Sequence, residues 1–336
     1  MKKEIVLTGI TTTGTPHLGN YAGAIRPAIA ASRNDHVESF YFLADYHALI
    51  KNQDPERLKQ STKEIAATWL ACGLDPDKVY FYRQSDIPEI PELTWILTCM
   101  TAKGLMNRAH AYKAVIQENE QKGKKDLEEG VTMGLFSYPI LMAADILIFK
   151  ANKVPVGKDQ VQHIEMARDM AQRFNHYYGD HLVLPEAVVG KQSAVLTGLD
   201  GRKMSKSYNN TIPLFLPEKK LRKMIMKIVT NSLEPGEPKD PDTSAVFQIY
   251  SAFATDEQVA DMHRKFEEGI AWGKAKQELF ELLNAHLAPY REEYNKLMDD
   301  PGYIESTLQK GAEKARRVSV PFLRQLREAI GFAPIA

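Results

Sequence analysis

Cysteine is nearly missing from this chain, with two thiols, Cys72 and Cys99, in 336 residues. So few exclude a disulfide scaffold, and they leave no thiolate set for a structural zinc or an iron–sulfur cluster. An excess of either charge is missing too. Lys plus Arg and Asp plus Glu both total 43, for a formal net charge of zero, so no overall field draws the molecule to nucleic acid or to a membrane. Local basic faces remain compatible with that sum. No uninterrupted apolar run is long enough to span a bilayer, and the start, MKKEIVLTGITTTG, has too brief an apolar stretch for a signal peptide. The expectation is a protein of the reducing cytoplasm with no membrane contact.

What is present is an alternation of short apolar runs and amphipathic stretches. Residues 4 to 10, 37 to 44, 79 to 85 and the VPV at 154 to 156 read as strands. Between them, residues 17 to 31, 55 to 73, 92 to 103, 135 to 149 and the stretch after GKDQ at 157 to 160 carry apolar residues at helical spacing. This pattern predicts an α/β fold, a Rossmann-like parallel sheet covered on both faces. The polar run ENEQKGKKDLEEG at 118 to 130 reads as an exposed loop, and its Lys-rich part around 121 to 125 reads either as a lid or as solvent-facing chain. After about residue 213 almost every segment has helical spacing, so the chain divides into residues 1–212 and a helical region, 213–336, whose last helix is free to return to the first part.

Two polar stretches carry the chemistry. The first, TGITTTGTPHLGNY at 8 to 21, joins a strand to a helix. Gly9, Gly14 and Gly19 let backbone approach a ligand, and the helix start near His17 presents free N–H groups and the positive end of its dipole, a phosphate cradle. His17 and Asn20, three apart, share one side of the first turn. The spacing is neither the dinucleotide fingerprint nor the Walker loop, whose terminal lysine and hydroxyl are missing. The second stretch, GRKMSKSYNN at 201 to 210, sets Lys203 and Lys206 among Ser205 and Ser207. Such a loop can gather positive charge where pyrophosphate departs. A glycine-rich turn and a solvated Lys/Ser turn would account for either stretch taken alone.

Taken together, HLGN at 17 to 20 and KMSKS at 203 to 207 resemble the paired signatures of class I aminoacyl-tRNA synthetases, with Asn20 in the place of the final histidine. LFSYPILMAADILIF at 135 to 149 and VPVGKDQVQHIEMARDMAQRFN at 154 to 175 are similar, in order and spacing, to the tryptophanyl family of that class. The resemblance runs from residue 4 to about 212 and more weakly through the tail. It implies ATP as substrate, accompanied by Mg²⁺, with L-tryptophan and tRNA(Trp) as the other partners, and a homodimer in which one tRNA bridges the subunits. It places Thr12, Thr13, Gly14, His17, Gly19 and Asn20 around ATP, with Gly19 making room for adenine, and Lys203, Met204, Ser205, Lys206 and Ser207 along the triphosphate. Lys113 falls where the family has another phosphate-contacting lysine. His47, Tyr138, Met142, Asp145, Asp159 and Gln160 would line the amino-acid site, Asp159 and Gln160 near the substrate ammonium. No metal site on the protein itself is implied.

The pocket residues also read on their own. Tyr138, Met142 and Asp145 are spaced four and three apart, one face of an otherwise apolar helix. A carboxylate there needs a partner, and an indole N–H, a donor with no acceptor character, suits it. A tyrosine hydroxyl can donate as well, so a tyrosyl enzyme shares this frame, and a salt-bridged core aspartate would have the same appearance. A non-catalytic RNA-binding relative is the alternative from another class. In the tail, KKLRKMIMK at 219 to 227 and Lys314, Arg316 and Arg317 offer basic faces for a phosphate backbone, or equally the solvated side of amphipathic helices. The opening loop departs from the family's common Pro-Ser-Gly or Pro-Thr-Gly form by having no proline before Thr13.

Overall fold

The computed structural model describes residues 3–189 and 196–332. Five parallel strands form its sheet: β1 (Glu4–Thr11), β2 (Val37–Ala44), β3 (Tyr80–Arg83), β4 (Lys153–Pro155) and β5 (Glu186–Val188), in the order β3-β2-β1-β4-β5. β1 and β2 pair along their whole length, from Glu4 opposite Val37 to Thr11 opposite Ala44. The order reverses between β1 and β4. In open α/β sheets this is where a crevice opens at the carboxyl ends of the strands.

Period-two alternation sorts the strand side chains onto two faces, each with its own apolar core. Tyr41, Leu43 and Phe81 point to one, with Leu18, Ile25 and Trp69 and, from the helical tail, Leu221, Leu279 and Leu283. Phe40, Phe42 and Tyr82 point to the other, with Leu147, Ile164, Phe174 and Phe322. Burial of each large side chain contributes roughly 1.5–3 kcal/mol, which is why β2 reads as an almost continuous apolar run. The first core is therefore built jointly by the opening helix, the helix Pro55–Ala71 and the tail helix Trp272–Asp299.

Several elements differ from the sequence reading. The helix expected over 17 to 31 is interrupted: Leu18–Asn20 leads into a π-helical turn, Tyr21–Ile25, before Arg26–Ala31. β5 falls outside the strands that the sequence pattern predicts, because three residues are too few to show a period. The polar run at 118 to 130 is not all loop. Its first four residues complete the helix His110–Gln121, and Asn119 turns inward, donating its amide to the carbonyls of Leu127 at 2.9 Å and Glu129 at 2.8 Å.

The last helix, Pro301–Ala329, lies against the edge strand β3. Gly311 makes that approach possible, since a Cβ there would overlap the Phe81 carbonyl oxygen. Lys314 Nζ donates to the carbonyls of Asp77 and Val79 at 2.7 and 2.8 Å, and the Arg316 guanidinium pairs with Glu89 at 2.9 Å. Two of the three tail cations read as a basic face for RNA are thus engaged within the chain. The charges of 219 to 227 stay exposed while Leu221, Ile225 and Ile228 are buried.

Candidate active site

The opening loop leaves the carboxyl end of β1. The chain after the Lys/Ser loop returns to it, with Leu18 N donating to Ile212 O and Leu214 N to Pro16 O, both at 3.0 Å. These bonds bring two stretches about 190 residues apart to one crevice. A cavity of about 450 Å³ lies between them, lined by Thr13, His17, Gly19 and Asn20 on one side and Lys203, Met204, Ser205 and Lys206 on the other.

Within the first helical turn, Asn20 Oδ1 accepts from His17 N at 3.1 Å. His17 is 8% exposed, and burial, then the nearby Lys206 charge, lower its pKa to about 4. The imidazole is therefore neutral at pH 7. Its Nδ1, and the Oγ1 of fully buried Thr12, have no partner among the described residues. Lys206 is an exposed residue, and its ammonium and the adjoining stem sit close to Gly14. Loss of hydration first, and repulsion by Arg57 second, bring its pKa down to about 8.

Asn210 holds the shape of the later loop. Its Oδ1 accepts from Ser205 N at 2.8 Å, and its amide donates to Asp200 Oδ1 at 2.7 Å and to the Lys203 carbonyl at 3.0 Å. The preceding Asn209 takes the left-handed conformation, φ 51°. Sequence reasoning missed Asn210. The signal available was the tandem Asn-Asn, since asparagine is enriched where a turn needs positive φ and a local side-chain bond.

A second cavity, of about 510 Å³, shares Thr11 and Thr13 with the first, and His47, Tyr138, Met142, Asp145 and Gln160 line it. The helix Met133–Leu147, capped by the Thr132 hydroxyl, supplies Tyr138, Met142 and Asp145 from one face, as their spacing predicts. Asp145 is 1% exposed. It accepts from Gln84 Nε2 at 2.8 and 2.9 Å, and His47 Nε2 stands 2.9 Å from its second oxygen. Burial raises its pKa, and the bonds from His47 and Gln84 oppose that shift. An unpaired carboxyl here would cost several kcal/mol. Partners of this kind, each contributing on the order of 1.5–3 kcal/mol when charge-assisted, let it stay at the cavity wall.

Gln84 is the second residue that sequence reasoning missed. It is fully buried just beyond β3, and a polar side chain at the carboxyl end of a buried strand was the clue. A further chain of bonds runs from the Tyr138 hydroxyl to His163 Nε2 at 2.6 Å and from His163 Nδ1 to Gln160 Oε1 at 2.8 Å. Burial lowers the His163 pKa and raises that of Tyr138 to about 12. A neutral imidazole then accepts from Tyr138 and donates to Gln160, leaving lone pairs of the phenol oxygen and the amide oxygen for a cationic group.

The remaining predicted residues are not brought into these walls. Lys113 is exposed on the helix His110–Gln121, Asp159 is exposed and accepts from Gln160 Nε2 at 3.1 Å, and Ser207 N donates to Ser205 Oγ at 3.3 Å. Thr12 and Gly14 belong to the same loop as the wall residue Thr13 without lining the first cavity themselves.

A cation-lined cavity and a cavity walled in part by a carboxylate meet at the switch point of a parallel sheet, an arrangement that suits a nucleotide-dependent ligase, and the comparisons establish that class. The family model described as "tRNA synthetases class I (W and Y)" matches residues 1–288, and the chain belongs to that family. On its tryptophan side, the chain is 64% identical over 329 residues to the tryptophan–tRNA ligase of Pseudomonas aeruginosa, covering 97% of this chain and 73% of the relative. It is 58% identical over 335 residues to that of Neisseria meningitidis, covering 100% of both. The crystal structure of tryptophanyl-tRNA synthetase from Campylobacter jejuni complexed with ADP and tryptophan superposes with a TM-score of 0.87 at 43% identity, covering 97% of this chain and 99% of that one.

Proposed function

We propose that the protein joins L-tryptophan to tRNA(Trp) at the expense of ATP, releasing AMP and diphosphate. The meeting of the two cavities at Thr11 and Thr13 carries this reading. Tryptophan lies with its indole N–H toward Asp145 and its ammonium toward the oxygens of Tyr138 and Gln160, which points its carboxylate at the shared wall. ATP lies along His17, Gly19 and Asn20. The carboxylate oxygen bonds to the α-phosphorus, and the bond from that phosphorus to the bridging oxygen breaks. Pyrophosphate leaves toward Lys203 and Lys206. A terminal ribose hydroxyl of the tRNA then attacks the acyl carbon, and AMP departs. No side chain becomes covalently bonded, so the protein acts by alignment and by stabilising charge on the leaving group.

Lys113 joins the phosphates as a third lysine when ATP is bound. Mg²⁺ travels on the ATP phosphates, a hard cation held by phosphate oxygens. The stretch 213–336 meets the anticodon through the exposed cations of 219 to 227, and the active form is a cytoplasmic homodimer. Among the described residues no helix is long and apolar enough to cross a membrane. Exchange of labelled pyrophosphate into ATP, run with each of the twenty amino acids, tests the central reading. Exchange with tryptophan alone is expected, and exchange with tyrosine instead would overturn it. A fully active monomer in sedimentation would remove the dimer.

A further inference from the structure

One cation beside the ATP cavity belongs to neither signature loop. Arg57 lies in the first turn of the helix Pro55–Ala71, where the Asp54 cap accepts from its backbone N–H. Its guanidinium reaches the opening loop at Gly14, whose φ of +127° and missing side chain leave the backbone bare. A Cβ added to Gly14 would stand 3.1 Å from Arg57 Nη2 and 3.5 Å from Lys206 Nζ. Two cations from distant parts of the sequence therefore converge on one backbone position.

One carboxylate, Glu64, offsets the pair only in part: it stands in a long ion pair with Arg57 and its charge opposes the lowering of the Lys206 pKa, which still comes down to about 8. Glu64 already accepts the Thr15 hydroxyl at 2.7 Å and the Gln60 amide at 3.0 Å, and its closest approach to Arg57 is 3.9 Å. The Arg57 contact with Thr15 Oγ1, at 3.5 Å, is at the limit of a hydrogen bond. Like charges held together this way repel, which accords with the lowered Lys206 pKa. An anion touching both would relieve the repulsion, and a guanidinium fork fits two phosphate oxygens.

We propose that Arg57 is a further phosphate-binding residue, holding the terminal phosphates of ATP, and then the departing pyrophosphate, across Gly14 from Lys206. This rests on the reading of the site as one that activates tryptophan with ATP. Arg57 exchanges no proton and forms no covalent bond; it shares the charge that the leaving group acquires.

Arg57→Ala and Arg57→Lys, assayed by pyrophosphate exchange with MgATP, test the assignment. The alanine variant should raise the KM for ATP and the inhibition constant of inorganic pyrophosphate about tenfold, the equivalent of one charge-assisted hydrogen bond. The KM for tryptophan and inhibition by AMP, which lacks the terminal phosphates, should stay at parental values, and lysine should restore part of the loss. An unchanged ATP KM in the alanine variant overturns the proposal. So does equal weakening of ATP and AMP, which would mark a role in the fold through Glu64. Absence of exchange in the parent protein would instead refute the underlying reading.

Discussion

The two cavities on either side of Thr11 and Thr13 are built on opposite plans. On the amino-acid side the principal polar groups already have partners, Asp145 with Gln84 and His47, and Tyr138 with His163, which in turn bonds Gln160; of that wall, Thr8 Oγ1 is unbonded among the described residues. On the nucleotide side more of the charge and several polar atoms are left uncompensated. His17 Nδ1 and Thr12 Oγ1 are unbonded among the described residues, and Lys206 and Arg57 repel across Gly14. A site that must recognise one side chain is held rigid in advance. A site that must grip a polyanion and let its end go keeps charge in reserve.

Lys206→Ala should break this contrast most sharply. Adenylate formation, read by pyrophosphate exchange, is expected to fall on the order of 10²–10³-fold, as for removal of one donor to a developing anion. Tryptophan binding should change far less. A normal exchange rate would take Lys206 out of the reaction.

Asp145→Ala probes the opposite side. The stranded Gln84 amide, unpaired with or without ligand, lowers stability, while loss of the acceptor for the indole costs roughly 1–3 kcal/mol, so tryptophan affinity should fall about 5- to 150-fold. Equilibrium dialysis measures this directly. Equal affinity in variant and parent would mean that Asp145 serves only the core.

Asn210→Ala addresses the loop rather than the charges on it. Losing the bonds to Ser205 N, Asp200 and the Lys203 carbonyl should lower kcat/KM for ATP about tenfold, the equivalent of one to two net hydrogen bonds, without moving the KM for tryptophan. Weakening of both substrates together would show that the two cavities are less independent than their geometry implies.

The smallest effect is on pH. Lys206 is protonated below about 8, so kcat/KM for ATP should be about halved there and fall further above it, since this ratio reports the free enzyme. His17, lowered to about 4, stays neutral throughout this range. Stability moves the other way. Folding lowers the Lys206 pKa from 10.5, so its ammonium opposes folding below about 8, and that opposition is lifted as pH rises toward 10.5. Thermal melts and rates over pH 7–10 would separate the two, and a rate that keeps rising above pH 9 would count against a charged Lys206.

The same contrast explains what could be read from the residues alone. Strands such as VESFYFLA and the face Tyr138, Met142 and Asp145 were legible because burial imposes a period, and both signature loops were legible because glycine, lysine and serine cluster in them. Gln84, His163 and Asn210 were not singled out. Asn210 acts within its own loop, where the tandem Asn-Asn was the available signal, whereas Gln84 and His163 act by holding Asp145 and Tyr138, residues 61 and 25 positions away, which no local pattern encodes. The pairing of Lys314 and Arg316 was hidden for the same reason: a basic run looks alike whether it faces water or Glu89. Arg57 sits in an ordinary charged first turn, and only the fold brings it to Gly14.

The Gly311 contact imposes an order of events on the chain during its manufacture. β3 is an outer strand, and its backbone stays open to pairing with other chains until residues 301–329, made more than two hundred residues later, settle on it. Gln84, just beyond that strand, steadies Asp145. A polypeptide interrupted before this segment would lack the cover that the last helix gives to that border of the sheet, the border whose strand leads into Gln84.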